Sequence, residues 1–233
     1  MASPTTSSLR KASGRRSHRR AFPGAAIAVC ALLGACSSEG AGDWSRLFEL
    51  ARSSWEDHSH LPLSTVADIP YATMGVRIGD DPEQMLVLAT DTDGEQLWTT
   101  SSRVAISTRR GRIVATAGLP RNLTAYTTAD HQDSWLVPRT FAWHADLADM
   151  GQYSVRIDCT DTPGQRETIS ILGAPLDTVR VDETCRSDAI GWSYANTYWV
   201  SRSTGWVWRS IQHVHPGMEA LEIEILRPPL SAQ

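Results

Sequence analysis

Hydrophobic and polar positions follow three successive patterns along the chain. Phe22 to Ala35 is small and apolar, and too short to span a bilayer as a mature helix. Behind Asp43, a suitable N-cap, the apolar residues Trp44, Leu47, Phe48, Ala51 and Trp55 recur at helical spacing and predict one amphipathic helix. Glu49, Glu56 and Asp57 lie nearby, so its aromatic face reads as core-packing rather than lipid-inserting. From Tyr71 onward the chain turns to short apolar or alternating runs separated by turn residues.

Met85 to Thr90 and Gln96 to Thr100 flank Asp91-Thr92-Asp93-Gly94, whose Asp-Gly supplies the positive φ of a tight hairpin. Arg103 to Ser107 and Ile113 to Ala117 flank a second turn at Arg109 to Arg112. Further strands are predicted at Trp135 to Phe141, Tyr153 to Cys159, Thr168 to Leu172, Thr178 to Glu183, Trp192 to Ser201, Trp206 to Val214 and Ala220 to Leu226. In the last, Leu221, Ile223 and Ile225 alternate with Glu222 and Glu224, the pattern of a half-buried strand. The fold class expected is mainly β: an antiparallel barrel or sandwich of many short strands, with one N-terminal amphipathic helix.

The N-terminal pattern reads as a secretory signal. Arg10, Lys11, Arg15, Arg16, Arg19 and Arg20, with no acidic residue, precede the apolar stretch. That stretch ends in Leu33-Gly34-Ala35-Cys36, which resembles the lipobox of bacterial lipoproteins, where the cysteine thiol takes a diacylglycerol before cleavage. The division expected is signal peptide 1–35, lipidated tether 36–42 and a single mainly-β domain 43–233, with Cys36 as the lipidation site. Arg19-Arg20-Ala21-Phe22 partly resembles a twin-arginine signal, but His18 favours the general secretion route. Ser37 after the cysteine resembles lipoproteins sorted to the outer membrane.

Removing the signal changes the charge. Of 22 Lys+Arg, six precede Cys36, leaving 16 against 26 Asp+Glu, a formal charge of −10. An acidic domain argues against nucleic acid as a partner. Beyond Cys30 and Cys36, Cys159 and Cys185 remain as an even pair in an oxidising compartment, and a disulfide is expected; two buried free thiols are the alternative.

Catalytic motifs are missing. There is no phosphate loop, dinucleotide fingerprint or His-Glu-x-x-His, and Gly191-Trp192-Ser193-Tyr194-Ala195 fails as a nucleophile elbow. No cofactor is expected. His213 and His215, or His58 and His60 with Asp57, have chelating spacing, but nothing supplies a third convergent ligand, so no metal site is assigned. Asp80 and Asp81 before Pro82 read as turn formers. The nine tryptophans could be core area or platforms for sugar rings. Trp206 and Trp208 share a strand face and are the candidate recognition surface, packing inward or forming an exposed shelf.

Asn196-Thr197-Tyr198-Trp199-Val200, then Ser203-Thr204-Gly205-Trp206-Val207-Trp208-Arg209-Ser210-Ile211-Gln212 and Pro216, resemble the C-terminal signature of the YjbF/GfcB group 4 capsule lipoproteins. Gly111-Arg112-Ile113-Val114 with Gly118-Leu119 and Asn122-Leu123 resembles their central motif, and Trp44 with Leu47-Phe48 their opening helix. Gly111, Asn196, Tyr198, Trp199 and Gly205 are thus candidate structural-motif positions. At the central turn Arg110 holds a place where asparagine would be more natural.

The resemblance implies a periplasm-facing outer-membrane lipoprotein, a non-enzymatic accessory factor in capsule or exopolysaccharide assembly and export. The partners it implies are an outer-membrane β-barrel or other export proteins, and a glycan, beside the membrane reached through the lipid. A carrier of lipid or glycolipid in an open barrel is the alternative and needs an apolar cavity of roughly 300 Å³ or more. A polysaccharide-trimming hydrolase or lyase is the third reading and needs convergent carboxylates or histidines in a cleft.

Overall fold

In a computed structural model the protein is described over residues 61–129 and 134–229. The predicted helix at Trp44 to Trp55, Cys36, the tether and the signal lie outside the described residues. So do His58 and His60.

Twelve strands form one sheet: β1 Thr73–Ile78, β2 Gln84–Thr92, β3 Glu95–Thr99, β4 Ala105–Arg109, β5 Arg112–Ala117, β6 Ala125–Thr127, β7 Arg139–Leu147, β8 Gln152–Ile171, β9 Ala174–Ser187, β10 Trp192–Ser201, β11 Val207–Gln212 and β12 Leu221–Arg227. Neighbours pair antiparallel in sequence order, and β12 pairs with β1, so the sheet curls into a nearly closed up-and-down barrel. The seam lies between β5 and β6. It is bridged where Thr116 N–H donates to Leu123 O at 2.8 Å and Leu123 N–H donates to Thr116 Oγ1 at 2.9 Å.

Alternation decides which side chains enter the barrel. Leu221, Ile223 and Ile225 of β12 point inward beside Met74 and Val76 of β1, and the same face continues through Leu86, Trp98 and Ile106. Phe141, Trp143, Val155, Ile157 and Tyr194 close the ring from the other side. Fully burying aliphatic and aromatic side chains of this kind stabilises the fold by about 1.5–3 kcal/mol each. Cys159 and Cys185 are direct partners on β8 and β9, with Cα atoms 4.2 Å apart, and are joined by a disulfide inside the barrel.

Among the described residues, side chains pack the interior. Where Trp206 and Ser210 meet Met74, Gln96 and Thr108, a void of about 20 Å³ remains, room for about one water. Outside, Arg156, Asp158 and Arg186 are exposed on β8 and β9. Apart from one mouth, an apolar inside and a charged outside reverse the polarity of a membrane-spanning barrel.

Two strands depart from the expected short lengths. The three runs predicted at 153–159, 168–172 and 178–183 belong to a single hairpin, in which β8 has 20 residues and β9 has 14. Pro163 sits inside β8 without breaking it because β7 pairs with β8 only up to Asp161. Beyond that point β8 is an edge strand, where a missing N–H is tolerated. A register shift between Pro163 and Arg166 bends the hairpin. Its tip then lies over the outer face of β10–β12, where Ile169 and Ile171 pack on Trp199, Ile211 and Leu226, joined by Val66 of the short helix Leu63–Ala67. This cover explains why Trp199, Glu222 and Glu224, on the outer face, are buried.

Candidate functional site

The strand predicted from Trp135 begins instead at Arg139, because Trp135 leaves the sheet to plug one end of the barrel. Its indole N–H donates to Arg110 O at 3.0 Å, and its ring packs on Tyr198 with centroids 4.3 Å apart. At the same mouth Arg110 and Gly111 join β4 to β5 with φ of 52° and 82°, the two positive values of a type I′ turn. Gln212 fastens this turn, donating from Nε2 to Gly111 O and accepting at Oε1 from Ile113 N–H, each at 2.9 Å.

Beneath the plug is a cluster of buried charge. Arg112 enters from β5, Arg139 from β7, Asp161 from β8 and Glu183 from β9; Asp161 and Glu183 are 1% and 0% exposed. Arg112 lies 2.5 Å from Glu183 and 3.8 Å from Asp161, and Arg139 lies 3.3 Å from Asp161. The Arg112 guanidinium is also 5.1 Å from the centroids of Trp135 and Phe141 and 5.4 Å from Tyr198, within cation–π range. Asn196 donates from Nδ2 to Glu183 Oε1 at 2.7 Å and accepts at Oδ1 from His213 N–H at 2.8 Å. The partners of the Asn196 amide therefore include both a backbone N–H and a buried carboxylate.

Burial alone would lower the Arg112 pKa, but the charge of Glu183, with Tyr198, Tyr126 and Asp161, outweighs it and holds the group well above its ordinary value. Burial pushes the Tyr198 hydroxyl up against the pull of Arg112. Burial and the Glu183 charge, opposed by Arg112 and Arg139, raise Asp161 to about 7. The carboxyls converge, as a hydrolase would need, but beneath a plug rather than in a cleft that flanks a sugar bond.

The two histidines are used separately. β11 ends at Gln212. His213 then packs on Tyr194 and meets Asn196 Oδ1 through Nδ1 at 3.3 Å, and burial lowers its pKa. His215 accepts Gly217 N–H at Nδ1, so its Nε2–H faces Asp149 Oδ1 at 3.1 Å, and Arg121 holds the other oxygen of Asp149. Cys159, Cys185 and Glu183 converge within 4.8 Å, but the two sulfurs are bonded to each other. Asp80 and Asp81 are exposed in the β1–β2 turn.

Of the motif residues, Gly111, Asn196 and Tyr198 meet at the mouth. Trp199 faces the outer cluster, and Gly205 closes the β10–β11 connection with φ of 71°. Trp206 and Trp208 are half-buried against the main core rather than forming an exposed shelf. Arg112, Arg139, Asp161 and Glu183 were not singled out from sequence. A signal existed in Val155-x-Ile157-x-Cys159-x-Asp161 and Val181-x-Glu183-x-Cys185, where a charge occupies the inward register of an alternating strand.

A filled, disulfide-bonded, up-and-down antiparallel barrel with a plugged, charge-lined mouth is the class these features define. The chain belongs to the family described as group 4 capsule polysaccharide lipoprotein gfcB, YjbF, whose profile matches residues 40–226. It is 28% identical over 208 residues to the lipoprotein YjbF of Escherichia coli K12, covering 82% of this chain and 90% of the relative. It is 25% identical over 175 residues to the lipoprotein GfcB of the same organism, covering 70% and 82%. The crystal structure of the hypothetical lipoprotein YmcC from E. coli K12 shares the fold, with a TM-score of 0.62 at 22% identity over 74% of this chain and all of that one.

Proposed function

We propose that the protein is an outer-membrane lipoprotein, cut before Cys36, lipidated there and facing the periplasm, that acts as a non-enzymatic accessory factor in capsule or exopolysaccharide assembly and export. Family membership supports the polysaccharide role, and the order of basic region, apolar region and lipobox supports the anchor. The observation that carries the accessory reading is the filled interior. Among the described residues the interior is packed with side chains, and the void of about 20 Å³ found there is far below the roughly 300 Å³ or more that a lipid would need. The protein therefore acts through its surface. Among the described residues that surface includes exposed Leu63, Tyr71, Val137 and Tyr153, each at least 59% accessible, and the half-buried Trp206 and Trp208.

Photo-crosslinkers placed at Tyr71, Tyr153 and Trp208 in living cells test this reading. Adducts with a polysaccharide-export protein from at least one position are expected, and adducts with lipid or glycolipid alone would favour the carrier. Labelling with a radioactive fatty acid tests the anchor: Cys36→Ala should lose the label.

A further inference from the structure

We infer that Asp161 and Glu183 form a proton-binding site sealed beneath Trp135, holding one exchangeable proton between the two carboxyl groups. The inference is independent of the function proposed above. The two residues are direct partners on β8 and β9, and both side chains enter the barrel. Glu183 accepts from Asn196 and the Tyr198 hydroxyl at Oε1, while its Oε2 is ion-paired with Arg112 without a hydrogen bond. Asp161 is in the same position: its Oδ2 accepts from Arg139 Nε at 3.3 Å, but its Oδ1 is buried without a hydrogen-bond donor, and Arg112 Nη2 at 3.8 Å is beyond bonding range.

A bare carboxylate oxygen without a donor is unfavourable in a buried site. A proton on Asp161 removes both the charge and the orphan acceptor, since the carboxylic O–H can donate to the neighbouring Glu183 carboxylate. Charge balance points the same way. The groups facing Asp161 are Arg112 from β5, Tyr126 from β6, Arg139 from β7, Glu183 from β9 and Tyr198 from β10. With Asp161 protonated, the sealed trio of Arg112, Glu183 and Asp161 is neutral. The remaining positive charge rests on Arg139, whose side chain is 19% exposed and reaches water.

Carbon-13 NMR of the intact lipoprotein, labelled at its Asp and Glu carboxyl carbons, reads the site directly. One aspartate carbon should titrate about 3 pH units above the ordinary value of 3.8. That step should vanish in Asp161→Asn, whose amide retains the shape of the protonated acid, and should move down in Glu183→Gln. The inference is overturned if every aspartate titrates in the ordinary range, if the high step survives Asp161→Asn, or if Glu183→Gln leaves it unmoved. Should Glu183→Gln not fold, the wild-type titration and Asp161→Asn decide between them.

Discussion

Gly111 and Val207 meet across the mouth of the barrel so closely that a β-carbon on Gly111 would lie 2.5 Å from Val207 Cβ. The same glycine has φ of 82°, so a side chain there meets both a steric and a backbone penalty. Gly111→Ala should lower stability by about 2 kcal/mol or more, measured by urea unfolding. Arg110, at φ of 52°, pays part of that backbone penalty already. Arg110→Asn should therefore raise stability by up to about 1 kcal/mol, and a fall would mean that the arginine side chain itself holds the mouth.

The contribution of Asp161 to stability should fall as pH rises from about 4 to about 7. An unfolded aspartate ionises near 3.9, whereas Asp161 in the fold is raised to about 7. Between those values the native state holds more protons than the unfolded chain. The slope is at most about 1.4 kcal/mol per pH unit for one proton. Because buried His213, with its lowered pKa, contributes in the opposite sense, the test is the difference: the urea midpoint of wild type relative to Asp161→Asn should fall across this window, and equal slopes would count against the assignment.

The tryptophans should separate by position. Trp199 is 2% exposed beneath the β8–β9 tip, and Trp199→Ala should cost about 3–5 kcal/mol and lower protein abundance. Trp206→Ala and Trp208→Ala, removing half-buried rings, should cost less. If either ring contacts a partner or glycan, exopolysaccharide output will drop further than melting temperature and abundance account for. Output that tracks stability for all three variants would reduce them to core residues.

The disulfide closes a loop with a sequence separation of 26, for which the chain-entropy estimate is roughly 3.5 kcal/mol. Cys159→Ala with Cys185→Ala should lose stability of that order. In wild type both thiols should resist alkylation until reduced. Alkylation of both without reductant would contradict the bridge.

Much of the barrel could be read from the chain because alternation is local. Trp192 to Ser201 forms the strand its pattern predicts, Tyr198 faces inward and Trp199 outward, and Leu221, Ile223 and Ile225 line the interior. The hairpin β8–β9 joins three predicted strands into one because Pro163 lies past the end of β7 at Arg139, on a free edge where strand register, not local pattern, lets the chain continue. The mouth was harder to foresee. Arg112 stands where sequence places a turn, and its partners arrive from strands 49 and 71 residues further on. Asn196, Tyr198 and Gly111 were visible as motif positions, but the buried carboxylates that tie them together emerge only from strand register.

The account rests most on a lipid-anchored barrel acting beside export machinery, and exopolysaccharide output in a deletion strain tests that most directly. The strain would be complemented either with the wild-type gene or with a version in which residues 1–36 are replaced by an ordinary cleavable secretion signal, at matched abundance. The account predicts wild-type output from the first and loss of output from the second, although the barrel is folded and exported. Full output from the unanchored barrel would contradict it.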